Sequence, residues 1–217
     1  MNYYITTYIE GQALDSYSDT LSASIVNHIA DCLIILVDNL EQIHASHYSE
    51  REAFIYDNYI DNFQRKLELK LQHPLVSNYS HQKLQHILNW SCEILENSQF
   101  SQPSLIHMDI KPANIIYNME TGFVSLIDFE FARFGDIDYG WTQLLLSGCN
   151  HFNQFYKKQM IPRITNNRLP ISEALKIPKY QCYLFYQLLC NMIYYSDRHL
   201  SCPKEMSDLF EFFIKKI

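Results

Sequence analysis

The five glycines of this 217-residue chain, Gly11, Gly122, Gly135, Gly140 and Gly148, stand no closer than five residues apart. Such spacing excludes the G-x-G-x-x-G turn of a dinucleotide-binding βαβ unit. Gly135 and Gly140 have the separation found in a P-loop, but Trp141 follows where that loop needs lysine. Any nucleotide handled by this chain is therefore held by something other than a glycine-rich loop, or by a part outside the chain.

Apolar periodicity divides the sequence into a helical body with a β-rich middle. Tyr3, Ile5 and Thr7 alternate with Tyr4, Thr6 and Tyr8, which predicts an opening strand ended by Glu10-Gly11. A helix is predicted from Leu21 to His47, because Ile25, Ile29, Leu33, Leu36, Leu40 and Ile43 recur every three or four residues. Asp19 or Thr20 would cap it. Residues 50 to 98 read as two helical pieces, broken near His73-Pro74 and Ser77-Asn78. Lys66 to Leu71 alternates as a strand would, so its assignment is ambiguous between strand and amphipathic helix. Short β-prone runs then appear at 105–106, 115–117 and 123–127. The last two flank Asn118-Met-Glu-Thr-Gly122, a good hairpin loop. Beyond Asp138 the pattern is helical again. The expected class is α+β, mostly α.

Composition adds limits. At 47% apolar and 19% charged residues the chain can bury a core. A net charge of −7 disfavours binding to a nucleic-acid backbone. The longest strictly apolar run, Cys32 to Val37, is far shorter than the roughly 18 residues that span a bilayer, so no membrane partner is expected. The N-terminus lacks the basic and apolar regions of a secretory signal. Cysteines 32, 92, 149, 182, 190 and 202 form no C-x-x-C pair and read as reduced thiols, which predicts a cytoplasmic protein.

The β-rich middle carries the chemistry. If 115–117 pairs antiparallel with 123–127, one register places Ile115 opposite Ile127 and Asn114 opposite Asp128. An amide oxygen and a carboxylate would then converge on a site suited to a hard cation such as Mg²⁺. Asp109, on a turn restrained by Pro112, would be an acidic group beside that metal, placed to accept a hydroxyl proton.

His107-x-Asp109-x-x-x-x-Asn114 followed by Asp128-Phe-Glu130 resembles the catalytic core of kinase-like phosphotransferases, most closely the aminoglycoside phosphotransferase and choline kinase group. Leu126-Ile-Asp-Phe-Glu-Phe-Ala132, Leu40-Glu-Gln-Ile-His44 and Gly135-Asp-Ile-Asp138 are similar to flanking segments of that group. Tyr8-Ile-Glu-Gly11 resembles its hinge, with Thr7, Tyr8 and Ile9 as nucleotide contacts. The resemblance implies a protein-kinase-like C-terminal lobe over 12–217, preceded at 1–11 by the hinge and last strand of an N-lobe otherwise absent from the chain. It implies Asp109 as catalytic base, Asn114 and Asp128 as Mg²⁺ ligands, and ATP as phosphoryl donor. His107 would be a structural member of the loop, and Asp138 would brace that loop by accepting backbone N–H groups. Lys111 stands where the small-molecule group usually has histidine, and would contact the γ-phosphate or lie exposed. Glu130 would support the metal site or lie in solvent. Two functions follow: transfer of phosphate to a hydroxyl of a small, cationic acceptor such as an aminoglycoside or amino alcohol, or an inert binding lobe. A separate chain supplying the N-lobe is a conceivable partner. Tyr183, Tyr186, Tyr194, Tyr195 and Asp197 are the candidate acceptor contacts, although an aromatic stripe at such spacing also suits a core.

Overall fold

The structure is a computed structural model that describes residues 9–17, 21–49, 55–56, 58–147, 156–166 and 169–217. The opening strand predicted over 3–8, Thr7 and Tyr8 of the hinge, and the cap at Asp19 or Thr20 lie outside the described residues. Ile9 is half-buried ahead of a two-residue strand, β1 (Gln12–Ala13).

Helix α1 (Ala23–Glu41) is capped by Ser22, whose Oγ accepts the Ile25 amide at 3.3 Å. It buries Val26, Ile29, Ala30 and Leu33, spaced by three or four residues along a single face. The helix stops short of the predicted His47. Ile43 and Ala45 are instead drawn into pairing with the chain at 103–105, through Leu105 N–H to Ile43 O (2.8 Å) and Ala45 N–H to Pro103 O (3.0 Å). By length and composition alone α1, 19 residues with a mean hydropathy of 1.4 over an 18-residue window, is long and apolar enough to cross a membrane. Here its buried face packs on the central strands.

Strands β2 (Tyr48–Ser49) and β3 (Ile55–Tyr56) pair antiparallel, the second of them within a stretch predicted helical. Helix α2 (Tyr59–Leu71) then starts at Asn58, whose side chain accepts the Ile60 and Asp61 amides. The ambiguous 66–71 stretch belongs to it. Phe63, Leu67 and Leu71 are buried at four-residue spacing, while Leu69 is 61% exposed, an arrangement no strand produces. After a turn at Pro74–Val76, α3 (His81–Glu96) is capped by Ser80 and buries Ile87, Leu88 and Leu95.

The middle of the chain forms β4 (Ser104–Ile106), β5 (Ile115–Tyr117), β6 (Val124–Leu126) and β7 (Arg133–Gly135). One sheet has the order β1-β5-β6, and β4 pairs separately with β7. The β5–β6 register differs by one residue from the predicted one, with Ile115 facing Leu126 and Tyr117 facing Val124. Those four residues are all buried, so this register puts both strands' apolar sets on the core side, and a slip of one would expose half of them. The loop fixes the same register. Asn118 Oδ1 accepts the amides of Glu120 and Thr121, Gly122 adopts φ +73°, and Asn118 N–H donates to Phe123 O.

The remaining elements are helical: α4 (Ile137–Ser147), α5 (Ile161–Asn166), α6 (Ile171–Ala174), α7 (Pro178–Asp197) and α8 (Lys204–Lys216). Helix α7 is the core helix. Its Tyr183, Phe185, Leu188 and Leu189 are fully buried, and Phe185 stacks on Phe210 of α8 at 5.8 Å.

Candidate active site

The site begins with how β4 is seated. Ile106, its last residue, is wedged against two glycines. A Cβ at Gly135 would lie 2.8 Å from Ile106 Cδ1, and one at Gly140 would lie 2.9 Å from Ile106 Cγ2. The glycine pair spaced as in a P-loop thus serves to admit an isoleucine, and fixes where His107 emerges.

His107 is buried and ties two loops together. Its Nδ1 accepts the Asp109 amide (3.3 Å), so Nε2 carries the proton and donates to Ile127 O (3.0 Å). Burial pulls its pKa below the usual 6.5, against the Ile127 hydrogen bond and the charges of Asp109 and Asp128, which raise it. The ring lies 4.5 Å from that of Phe129. A neutral imidazole hydrogen-bonded at both nitrogens is a strut between the two loops. Met108 follows with φ +65°, a left-handed conformation that a residue with a Cβ adopts at a cost of about 1–2 kcal/mol. The next residue, Asp109, lines a cleft with its side chain partly buried.

Asp109 Oδ2 accepts both Lys111 Nζ (2.7 Å) and Asn114 Nδ2 (2.8 Å), and Asn114 Nδ2 also donates to Asp109 O (2.9 Å). Oδ1 takes no hydrogen bond from the described residues. Lys111, expected at a phosphate or in solvent, is paired with the carboxylate, its side chain 37% exposed against 19% for Asp109. Tyr156 holds the loop from behind, its hydroxyl donating to Ile110 O at 3.3 Å.

Asn114 closes the turn begun by Pro112, and Ile127 N–H donates to Asn114 O at 3.0 Å. The predicted pairing of Asn114 with Asp128 is therefore corrected to Asn114 with Ile127, which leaves Asp128 one residue further on. Asp128 compensates through its own backbone, bending left-handed (φ +63°, ψ +67°) out of the ladder. It is exposed, as is Glu130 on the turn Phe129–Phe131, and Glu130 forms no ion pair or hydrogen bond with a described residue.

The bracing predicted for Asp138 is corrected. Its carboxylate accepts side chains, Lys179 Nζ (3.0 Å) and Tyr180 OH (2.6 Å), rather than backbone amides of the loop. The backbone-capping acid is Asp136, 1% exposed. Its Oδ1 accepts the Asp138 amide (3.0 Å), and its Oδ2 meets Lys179 Nζ (2.6 Å) and Tyr183 OH (2.8 Å). Burial raises its pKa, opposed by the charge and hydrogen bond of Lys179. Asp138 is the second residue of α4, and its carboxylate is taken up by Lys179 and Tyr180 of α7. The G-D pair in Gly135-Asp136 was the available signal for Asp136.

An open cleft of about 650 Å³ borders Asp109, lined among others by Lys111, Phe131, Tyr139, Tyr194 and Tyr195. Of the five candidate acceptor contacts, Tyr183 is core and Asp197 is bonded to His73 at 2.8 Å, so only Tyr194 and Tyr195 reach this cleft; Tyr186 lines a neighbouring one. Asn114 spends its amide nitrogen on Asp109, leaving its amide oxygen as a donor toward a cation, and the exposed Asp128 carboxylate is the other. No cluster of three or more His, Cys, Asp or Glu suited to a metal exists among the described residues. Two oxygen donors fit Mg²⁺ shared with phosphates better than a metal held by protein alone.

A mostly helical body with small sheets, in which a histidine joins the Asp109 loop to the Asp128 loop, has a kinase-like fold. The chain belongs to the aminoglycoside phosphotransferase and choline kinase family: the sequence model of the phosphotransferase enzyme family matches residues 1–156. Ethanolamine kinase 1 of Homo sapiens is 40% identical over 76 residues, which make up 35% of this chain and 15% of the human protein. The Mus musculus protein is 38% identical over 76 residues, 19% of its length, so the chain aligns with a minor part of these relatives. Among solved structures, a thermostable mutant of aminoglycoside phosphotransferase APH(4)-Ia with AMP-PNP and hygromycin B superposes with a TM-score of 0.66 at 14% identity, covering 95% of this chain and 69% of that one. Aminoglycoside 2'-phosphotransferase-IIIa with GDP gives 0.54 at 15% identity, covering 96% and 69%.

Proposed function

We propose that the chain carries the catalytic lobe of an ATP- and Mg²⁺-dependent phosphotransferase whose acceptor is the hydroxyl of a small amino alcohol. One observation carries the reading: Asp109 has one carboxylate oxygen held by Lys111 and Asn114, while the other is unbonded on a residue that lines the cleft.

A carboxylate anchored in this way keeps a fixed lone pair toward an incoming hydroxyl. Accepting its proton as the oxygen attacks phosphorus is worth about 10²–10⁴ in rate. Mg²⁺ held by the Asn114 amide oxygen and Asp128 would supply charge neutralisation on the phosphates. Lys111 orients the Asp109 carboxylate, and His107 holds the base loop and the metal loop at one spacing. The aromatic lining from Phe131, Tyr139, Tyr194 and Tyr195 suits an ammonium group by cation–π contact. The ethanolamine kinase relatives and the aminoglycoside phosphotransferase neighbours, both named for amine-bearing alcohols, support that acceptor class.

The test is calorimetric binding of MgATP to the chain and to Asp128→Ala, followed by phosphate transfer to a panel of amino alcohols and aminoglycosides. Binding by the parent protein that Asp128→Ala abolishes, with transfer that Asp109→Asn lowers about 10²-fold or more, is the expected outcome. No MgATP binding, or binding indifferent to Asp128, overturns the reading. Binding without transfer to any acceptor favours an inert lobe.

A further inference from the structure

Helix α7 contributes Gln187 and, one turn on, Asn191 to the lining of the cleft that borders Asp109. Gln187 is 5% exposed in a run of core residues, with Tyr183, Leu184, Leu188 and Leu189 fully buried on either side of it. Its neighbours decide which arm of the amide is which. One arm lies 2.7 Å from Tyr139 O, a carbonyl that can only accept, so that arm is Nε2 and it faces α4. Thr142 Oγ1 gives its own proton to the same carbonyl at 2.8 Å, and therefore accepts from Gln187 Nε2 at 3.0 Å. The nitrogen is satisfied. The other arm, Oε1, is buried and has no donor among the described residues.

We propose that Gln187 is a specificity-determining residue for the acceptor: its Oε1 receives an N–H of the acceptor's ammonium, so the site takes an amine that bears an N–H in preference to a quaternary one. The inference rests on the phosphotransferase reading for there being an acceptor, and on this cleft for the choice among amines. A buried acceptor atom left without a donor is costly, and folded proteins retain few of them. An oxygen of this kind on a residue that lines a cleft is relieved by a ligand that brings the missing donor. The charged residues of the lining leave that part to it. Asp109 is joined to Lys111 at 2.7 Å, and its open oxygen is the one that faces the hydroxyl, so the nitrogen is read by a neutral dipole instead of a second carboxylate. The negative end of the amide dipole attracts a cation, and the hydrogen bond gives the attraction direction. A quaternary nitrogen carries the same charge but presents only methyl groups to Oε1. It leaves that atom unpaired, and an unpaired polar group of the site is what rejects an analogue.

The experiment is a nucleotide-free NMR titration of ethanolamine, N,N-dimethylethanolamine and choline into the parent chain and into Gln187→Met. The three ligands differ only in the methyl groups on nitrogen. The two that bear an N–H should bind the parent about tenfold or more tighter than choline. Gln187→Met keeps the volume and removes the oxygen, so it should weaken those two to the level of choline and leave choline as it was. A residue that merely props the cleft would weaken all three alike, and a steric filter would preserve the discrimination in the methionine variant. Either result overturns the proposal, as does an absence of ethanolamine binding. If Gln187→Met does not fold, the side-chain carbonyl resonance of Gln187 in the parent carries the test: it should move with ethanolamine and not with choline, and equal movement overturns the proposal. Phosphate transfer is measured separately with MgATP. Failed transfer with the amine discrimination intact sinks the phosphotransferase reading alone, and transfer with ethanolamine and choline bound equally sinks this inference alone.

Discussion

Replacing Lys179 by methionine isolates the charge that lets Asp136 sit in the core. Lys179 Nζ lies 2.6 Å from Asp136 Oδ2 and 3.0 Å from Asp138 Oδ2, donates to Gln99 O at 2.8 Å, and is 4.7 Å from the centre of the Phe100 ring. The side chains of Lys179 and Asp136 are 11% and 1% exposed. Methionine keeps most of the stem volume, so the cavity contribution stays small. What remains is a buried carboxylate bonded only by Tyr183 OH and the Asp138 amide, and stranding such a charge costs about 3–5 kcal/mol. That is a large fraction of the roughly 5–15 kcal/mol that holds a domain together. Asp136→Asn should cost less, because Lys179 retains Asp138 and Gln99. The double variant should recover about 2 kcal/mol relative to the sum of the singles. The pH dependence has a definite sign. With its pKa raised by burial, Asp136 binds a proton in the native state before it does so unfolded, so stability of Lys179→Met is highest at low pH and declines as pH rises through the native pKa. Urea unfolding at a series of pH values measures both effects. A loss below about 1 kcal/mol at pH 7, or singles that simply add, would refute the view that this pair anchors α7 to the start of α4.

Other expectations follow from the same geometry. Gly135→Ala should lose about 1–3 kcal/mol by collision with Ile106 Cδ1, and Ile106→Val should rescue it. Gly140→Ala should not be rescued, because its clash is with Cγ2 and Cβ, which valine retains; equal rescue of both in thermal unfolding would contradict the seating described for β4. Met108→Val should destabilise by about 1 kcal/mol while Met108→Gly does not, since the branched side chain is the one least tolerant of φ +65°. His107 has a lowered native pKa, so its contribution is complete above the ordinary 6.5 and is lost as pH falls below that value; the unfolding midpoint should drop between pH 7 and pH 5.5, and a profile unchanged in His107→Gln would argue against the buried neutral ring.

Helix α1 was legible because periodicity of burial is a property of the chain itself. Ile25, Ile29 and Leu33 repeat every four residues whatever surrounds them, whereas the leucines of 66–71 fit two periods and were decided by packing. The two-residue strands β2 and β3 were not, since so short a segment has no period, and they owe their pairing to the neighbours they meet. The candidate base and metal residues stood out through an ordered set of polar side chains at fixed spacing. Their geometry did not follow from strand pairing as expected. One residue of register separates Asn114 from Asp128, and the left-handed bend at Asp128 that makes up the difference is a backbone property with no sequence signature in an aspartate. Lys179 escaped notice for a related reason. It lies far along the chain from Asp136, and nothing in the sequence marks a lysine near the start of a helix as the partner of an acid more than forty residues earlier.

The ladder between β4 and β7 joins residues 104–106 to 133–135, and everything that bears chemistry, from His107 to Glu130, hangs between its two rails. Its outer supports are equally modest: a bridge from His44 to Ser104 and a bond from the Phe134 amide to Ser49 Oγ. A brief opening of these three residue pairs would release base and metal residues together, while α7 and α8 stayed packed. The site is then a cooperative opening unit smaller than the protein, and denaturant or heat should abolish ligand binding before helical signal is lost. Hydrogen exchange at the amides of Ser104, Ile106, Arg133 and Gly135 would report that event, because the Leu105 and Phe134 amides point outward to Ile43 O and Ser49 Oγ; it measures how often an otherwise folded molecule is out of service.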